Sequence, residues 1–293
     1  MSKHKRNFDE ITGTETTGHE WDGIDELDTP MPRWWLGIFY ACILWAGIYA
    51  FLMPAIPALP GMEGYTKGKL GFSDRARVAV AMDELHASRA VQAKALVGAK
   101  LKEIQSNPDL MRFATAQGKS LFGDNCAICH GEGGQGSEGY PNLNDDIWIW
   151  GGSYEDIKQT LTHGIRADDD DSRIGDMLAF GRDEILASAE IDDLVQHVLN
   201  ISGQTADVSA ALRGASLFAD NCASCHGDNA KGTRELGAPD LTDQNWLYGG
   251  DVLTIRNTIF NGRGGLMPNW NARLTDEQIA ALSVYVHALG GGE

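Results

Sequence analysis

The sequence predicts an all-α protein in which one N-terminal membrane-spanning helix precedes two tandem helical domains. Three observations carry this prediction: a long apolar run near the N-terminus, an internal repeat in the second half of the chain, and an amphipathic helix pattern that closes each copy of the repeat. With 293 residues, the chain has room for two ordinary domains and an accessory segment. No segment shows the periodicity of a β-strand, so we expect helices throughout.

The apolar run covers residues 34–53 and contains 20 consecutive uncharged, mostly apolar residues between Arg33 and Pro54. This is the length that a helix needs to cross a hydrocarbon core of about 30 Å. It is longer than the core of a signal peptide, and no small-residue cleavage site follows it, so we expect a retained transmembrane anchor over residues 34–59. Lys and Arg are equally frequent on its two sides, and charge alone does not decide its orientation.

Two segments of different character flank the anchor. Residues 1–33 are polar and acid-rich, with Pro30 and Pro32 near their end, and we expect an extended tail. Residues 60–108 are expected to form a linker with one long helix, from Ser73 to about Gln105, because most of its residues favour helices. Four residues that prevent a simple continuation of the membrane helix follow the apolar run: Pro54, Pro57, Pro60 and Gly61.

The second half of the chain contains the internal repeat. The string GKSLFGDNCAICHG at Gly118–Gly131 recurs 96 positions later as GASLFADNCASCHG at Gly214–Gly227. PNLNDDIWIWGG and PDLTDQNWLYGG follow in the same order, and each copy ends in an amphipathic helix. Two copies of one domain explain this pattern, and we place them at residues 109–205 and 206–293.

Each copy contains one C-x-x-C-H string, and the strings are Cys126, Cys129 and His130 in the first copy and Cys222, Cys225 and His226 in the second. Two cysteines three apart in a helical turn face the same way, so both sulfurs reach the two vinyl groups of one porphyrin edge. The histidine is then held close to the iron through one ring nitrogen, while the other nitrogen can bond a backbone carbonyl. The strings therefore predict two covalently attached haem c groups.

The other interpretations of a C-x-x-C-H string are half of a zinc site and a redox dithiol. Zinc would need two further ligands at suitable spacing, and neither domain contains another cysteine. The fifth cysteine, Cys42, lies in the apolar run. Two strings in duplicated contexts favour haem.

The sixth iron ligand decides what such a haem does, because an open position permits gas binding or peroxide chemistry and a methionine closes the site for electron transfer. Six of the eight methionines precede the first string, which leaves Met177 and Met267, one after each string, as the expected axial ligands. Pairing within a domain is the default, but an exchange, with Met177 at the second haem and Met267 at the first, stays open. The competing ligands are His163 and His197 for the first haem and His287 for the second.

The formal net charge of −17 argues against nucleic acid as a partner. It fits a surface that attracts basic proteins as well as one that is simply soluble. The run Asp168–Asp171 lies in the longer loop of the first domain, before Met177. We expect this run to form either part of an acidic docking face or a solvated loop without a partner.

Two parts of the chain carry a resemblance to known families. The F-x-x-N-C-x-x-C-H-G core, the methionine loop and the closing helix resemble class I cytochrome c domains in duplicate, and Met267-Pro268 fits the family's Met-Pro form better than Met177-Leu178 does. The string TTGHEWDGIDELDTPMPRWW at Thr16–Trp35 resembles the segment that precedes the single helix in the dihaem subunit III, CcoP or FixP, of cbb3-type cytochrome c oxidases.

The resemblance implies an electron-transfer subunit that contains no catalytic residue and no oxygen-reduction site. Such a subunit accepts electrons from a c-type cytochrome and passes them through the monohaem subunit to the catalytic subunit, where oxygen is reduced. It also implies a bacterial inner-membrane protein with a cytoplasmic N-terminus and periplasmic haem domains. The alternative is a free-standing membrane-anchored dihaem cytochrome that shuttles electrons between respiratory complexes.

Overall fold

The computed structural model describes residues 6–57 and 64–292, and nearly all of its regular elements are helices, which confirms the predicted fold class. The chain divides into two compact units, Met1–His86 and Ala87–Glu293. The helices are α1 Arg33–Leu52, α2 Asp74–Gly98, α3 Leu101–Ser106, α4 Pro108–Asn125, α5 Ala127–His130, α6 Tyr154–His163, α7 Ser188–Ile201, α8 Val208–Asn221, α9 Ala223–His226, α10 Val252–Asn261 and α11 Asp276–His287.

A small antiparallel sheet precedes α1, and here the prediction of an extended tail without strands is wrong. Its strands are β1 Phe8–Asp9, β2 Thr14–Trp21 and β3 Ile24–Leu27, in the order β1-β2-β3. Asp22 and Gly23 join β2 to β3 with φ of 50° and 85°, as the two central residues of a tight hairpin turn require. An Asp-Gly pair between two strands is a strong hairpin signal, so this hairpin was predictable from the sequence. Residues 1–5 of the tail lie outside the described residues.

Helix α1 confirms that one helix near the N-terminus is long and apolar enough to cross a membrane. It spans 20 residues, none of them buried within the protein. The helix ends at Leu52, and Met53 closes its last turn by donating from its backbone N–H to the carbonyl of Tyr49 at 2.8 Å. Pro54 follows directly, in agreement with the predicted stop, whereas Pro60 and Gly61 lie outside the described residues.

The single long helix predicted from Ser73 to Gln105 is in fact two helices, α2 and α3. The break falls after Gly98, at Lys100, whose backbone is extended with φ −78° and ψ 156°. Glu103 in the first turn of α3 accepts a hydrogen bond from the Lys100 backbone N–H at 3.1 Å, so it begins a new helix at this point. Glycine is a poor helix former, and this capping contact outweighs the continuous helix pattern.

The unit Ala87–Glu293 contains both repeats, and its helices pack across the repeat boundary placed at 205/206. The closing helix of the second repeat, α11, packs against α4 and α6 of the first, and the closing helix of the first repeat, α7, packs against α8 and α10 of the second. One hydrophobic core accordingly joins Phe122 and Leu161 to Ile279 and Leu282. The other joins residues of α7, such as Leu194, to residues of the second repeat.

Two glycines allow the exchanged helices to approach closely. A Cβ atom added to Gly118 in α4 would collide with the backbone carbonyl of Ala281 in α11. At the equivalent position of the second repeat, a Cβ on Gly214 in α8 would collide with the carbonyl of Asp193 in α7. A glycine at the equivalent position of each repeat therefore allows its helix to pack closely against the closing helix of the other repeat.

The crossing at Gly118 generates a stability prediction with an internal control. We expect Gly118→Ala to lower the free energy of unfolding by about 1–3 kcal/mol, because the added methyl group overpacks the α4–α11 crossing. Gly123 lies in the same helix, and a Cβ added there would have nothing within 4 Å. Gly123→Ala should therefore leave the free energy of unfolding unchanged or raise it by up to about 1 kcal/mol. Denaturant unfolding of the full chain measures both, and equal effects of the two substitutions would contradict the exchanged packing.

His197 gives the α7–α8 interface a pH dependence. Its ring lies 5.2 Å from that of Phe218, and burial lowers its pKa below the ordinary value of 6.5, although a backbone hydrogen bond with Ala211 partly opposes the shift. The unfolded chain therefore binds a proton at His197 more readily than the folded chain does. The contribution of the neutral, buried ring to the free energy of unfolding is complete above pH 6.5 and is lost as pH falls towards the folded pKa. The difference in unfolding free energy between the parent and His197→Gln should therefore shrink below this pH. A difference independent of pH would contradict the prediction.

Candidate functional site

The first C-x-x-C-H string is held by the end of α4 and the single turn of α5. Cys126 caps both helices, and its backbone N–H donates to the Phe122 carbonyl at 2.8 Å. The backbone N–H groups of Cys129 and His130 donate to the Cys126 carbonyl at 3.1 and 3.0 Å. The two cysteines therefore lie on one helical turn, as predicted, and neither forms a disulfide.

The second string repeats this geometry between α8 and α9. Cys222 donates to the Phe218 carbonyl at 2.8 Å, and Cys225 and His226 donate to the Cys222 carbonyl at 3.1 and 2.9 Å. Cys222 and Cys225 likewise form no disulfide. The two strings are thus local duplicates in structure as well as in sequence.

Each histidine is oriented by a backbone carbonyl, which confirms the predicted type of contact. Nδ1 of His130 lies 3.1 Å from the Pro141 carbonyl oxygen, and Nδ1 of His226 lies 3.1 Å from that of Pro239. A carbonyl oxygen only accepts, so Nδ1 carries the proton and Nε2 presents its lone pair, the arrangement of an iron ligand. Burial lowers the pKa of both rings, and this keeps them in the neutral form that binds a metal.

The surroundings of the cysteines fit a thioether-linked porphyrin and disfavour zinc. Burial raises the pKa of the Cys126 and Cys222 thiols to about 11. Cys126 and Cys222 each belong to or pack against an apolar cluster. Among residues 6–57 and 64–292, one group of at least three metal-ligating side chains has converging donor atoms, and it contains neither string: His163, Asp169 and Asp171.

The two methionine loops are bound to the opposite repeat by reciprocal backbone hydrogen bonds. Met267 donates to and accepts from Ile165, just after α6, at 3.0 and 2.9 Å. Met177 forms the same pair with Arg263, just after α10, at 2.9 and 3.2 Å. Each methionine loop, like the closing helix that follows it, therefore contacts the other repeat.

The methionine side chains follow their loops into the opposite core. Met267 packs against the cluster that contains Cys126, and Met177 and Cys222 pack against the same second cluster. Of the two pairings that the sequence left open, this arrangement brings each methionine near the C-x-x-C-H string of the other repeat. Gly164 enables one of these approaches, since it has φ +74° and an added Cβ would lie 2.5 Å from the Met267 carbonyl oxygen.

The structure shows side-chain contacts for two of the three competing histidines, His163 and His197. His163 lies 2.8 Å through Nδ1 from Oδ1 of Asp169, and His197 packs on Phe218 between α7 and α8. His287 lies in the last turn of α11. The four aspartates of the acidic run differ in their surroundings. Asp169 contacts His163 and accepts a hydrogen bond from the Asn271 side chain at 2.7 Å, whereas the other three are exposed.

Two arginine–aromatic pairs lie at the methionine loops and were not predicted from the sequence. The Arg173 guanidinium lies 5.6 Å from the Trp150 ring centre, and that of Arg263 lies 4.0 Å from the Tyr248 ring centre. Trp150 and Tyr248 occupy the same position of the two repeats, which is a signal that could have found them. The arginines occupy different positions, so alignment of the repeats cannot reveal that they are equivalent.

Comparison with known families agrees with this geometry. The N-terminal domain of cytochrome oxidase-cbb3, FixP, matches residues 13–60. The cytochrome c family matches residues 115–202, and subunit III of cbb3-type cytochrome c oxidase matches residues 209–286. With two cytochrome c domains and two matching sites, the chain carries two covalently bound haem c groups with iron.

Full-length relatives complete the comparison. The chain is 51% identical to the cbb3-type cytochrome c oxidase subunit FixP of Azorhizobium caulinodans, over 99% of this chain and 98% of that protein. It is 51% identical to the FixP subunit of a Bradyrhizobium species over the full length of both chains, and 50% identical to the CcoP subunit of Cereibacter sphaeroides over 95% of each. The chain therefore belongs to the FixP/CcoP family of cbb3-type cytochrome c oxidase subunits.

Proposed function

We propose that this chain is the electron-transfer dihaem subunit of a cbb3-type cytochrome c oxidase. It accepts electrons from a c-type cytochrome and passes them to the monohaem subunit and then to the oxygen-reducing catalytic subunit. The observation that carries the proposal is the presence of two matched C-x-x-C-H sites within one folded unit, Ala87–Glu293, in a chain similar to FixP and CcoP over its whole length. Two irons in one unit suit electron passage better than two independently tethered domains.

The site geometry supports a proposal for the residues that hold the haems. Haem c supplies reversible one-electron chemistry when bound. The proposed thioether links are to Cys126 and Cys129 at the first site and to Cys222 and Cys225 at the second. The proposed axial ligands are His130 with Met267 at the first site and His226 with Met177 at the second, supported by the methionine loops lying in the opposite cores. Methionine as the sixth ligand raises the reduction potential and closes the iron to substrates, so no catalytic residue is assigned.

The proposed topology has a cytoplasmic N-terminus, helix α1 in the bacterial inner membrane, and both haem sites in the periplasm. Its structural support is that α1 buries none of its residues within the protein and therefore leaves its apolar surface for lipid. Family membership supports the direction, because haem c is attached on the outer side of this membrane. Residues 8–27, with their three strands, would then face the cytoplasm.

An acidic docking face for the donor is part of the proposal. The net charge of −17 favours encounters with a basic cytochrome. Asp168, Asp170 and Asp171 are exposed near Met177, and these three carboxylates are the available part of the acidic run. Asp169 is excluded because its side chain is 13% exposed and bonded to His163 and Asn271.

The ligand pairing can be tested with chains that bind a single haem. In a chain with Cys222→Ala and Cys225→Ala, only the first haem is attached, and Met267→Leu should then remove its sixth ligand and lower its midpoint potential. Met177→Leu in the same background should leave that haem unchanged, because Met177 packs in the other core. Absorption spectra and a redox titration measure both effects. The reverse dependence would establish pairing within each repeat.

The function itself is tested by purification from native membranes. We expect the chain to co-purify in constant proportion with a monohaem and a catalytic subunit, and the complex to oxidise a basic c-type cytochrome at a rate that falls as salt is added. Removal of this chain should abolish that rate while the catalytic subunit still reacts with a small artificial reductant. A chain that purifies alone would favour the free-standing cytochrome, and a rate independent of salt would remove the docking face.

A further inference from the structure

Arg166 lies between the two methionine loops and contacts both of them. Its Nε donates to the Gly265 carbonyl at 2.6 Å, two residues before Met267, and its Nη1 donates to the Gly175 carbonyl, two residues before Met177. The Arg166 side chain is 21% exposed, so it is partly buried between the two loops. One guanidinium therefore joins the loop of one site to the loop of the other.

The backbone at Arg166 is held in a conformation that arginine rarely adopts. Its φ is +52°, in the left-handed region, while its N–H donates to the Arg173 carbonyl at 2.8 Å. A non-glycine residue in this region costs about 1–3 kcal/mol and persists where the surrounding contacts determine it. In this conformation the Arg166 guanidinium reaches the carbonyls of both Gly175 and Gly265.

The second repeat has no counterpart of this arginine. His163-Gly164-Ile165-Arg166 aligns with Asn261-Gly262-Arg263-Gly264, so Gly264 occupies the equivalent position. A Cβ on Gly264 would lie 2.7 Å from Oδ1 of Asp176 and 4.0 Å from Cδ of Arg166. The space that a second side chain would take is filled by Arg166 and by Asp176, whose Oδ1 is 3.6 Å from the arginine Nε.

We propose that Arg166 is a positioning residue for both haem sites, restraining the two methionine loops together through one guanidinium. The proposal rests on the proposed function, in which Met177 and Met267 are the axial ligands. Arginine suits the role because its rigid fork carries several donors and stays charged, whereas a lysine ammonium acts as a single point. Loss of the guanidinium releases both loops, and the iron–methionine bonds of both sites then open more readily.

The experiment uses the full-length chain with both haems attached, in detergent and in the ferric state, with imidazole as the competing ligand. Imidazole replaces a loosely held methionine, and the loss of the long-wavelength band of methionine-ligated ferric haem reports each replacement. We expect Arg166→Gln to raise the imidazole affinity of both haems on the order of tenfold, which equals about 1.4 kcal/mol. Arg166→Gly should act alike without backbone strain, since glycine adopts φ +52° freely.

Arg182→Gln is the matched control. It removes one positive charge close in sequence, but the Arg182 side chain is 64% exposed and pairs with the adjacent Asp183. Its imidazole affinities should equal those of the parent chain. If the two Arg166 variants match this control, or if only one haem responds, the proposal is overturned.

Methionine variants separate this outcome from a failure of the ligand assignment. Met177→Leu and Met267→Leu should each open one haem completely. If they do, and the Arg166 variants do not loosen both sites, the positioning role alone fails. If neither methionine variant opens a haem, the axial ligand assignment fails first.

Discussion

The packing of each closing helix against the other repeat is the constraint on which the haem-binding unit depends. Helix α11 buries seven residues and α7 buries five, mostly large or medium apolar side chains. Because burial of a large aliphatic side chain contributes about 1.5–3 kcal/mol, the closing helix of the other repeat adds substantially to the stability of the core at each site. Residues 109–205 without α11 would leave the α4 face open, so the two repeats form one structural unit.

The exchange of the methionines follows from the exchange of the helices. Met177 lies shortly before α7 and Met267 shortly before α11, so each methionine loop must accompany its helix to the opposite core. The reciprocal hydrogen bonds with Ile165 and Arg263 then fix where each loop runs. Under the proposed pairing, the first haem would gain its methionine ligand only once the loop before the C-terminal helix is in place.

Local features were predictable from the sequence, and the exchange was not. The apolar run, the C-x-x-C-H turns and the closing helices each depend on neighbouring residues, which is why their patterns sufficed. Helices α4 and α8 have nearly the same sequence where they meet a closing helix, GKSLF in one and GASLF in the other. The sequence of an amphipathic closing helix therefore does not indicate which of the two helices it packs against. The hairpin at Asp22-Gly23 was missed although its signal was present, and the break after Gly98 was missed because a local capping contact overrode helix propensity.

The same arginine contacts occur at both sites, although the arginines come from different positions of the repeat. Arg173 donates to Thr160 at 2.8 Å and lies over Trp150, while Arg263 donates to Thr258 at 3.0 Å and lies over Tyr248, although the two arginines occupy unrelated positions of the repeat. Each aromatic ring packs on a glycine of the other repeat, Trp150 on Gly237 and Tyr248 on Gly139. These glycines precede the prolines whose carbonyls orient His226 and His130. A guanidinium and an aromatic ring therefore meet at both places, although the two arginines come from different positions of the repeat.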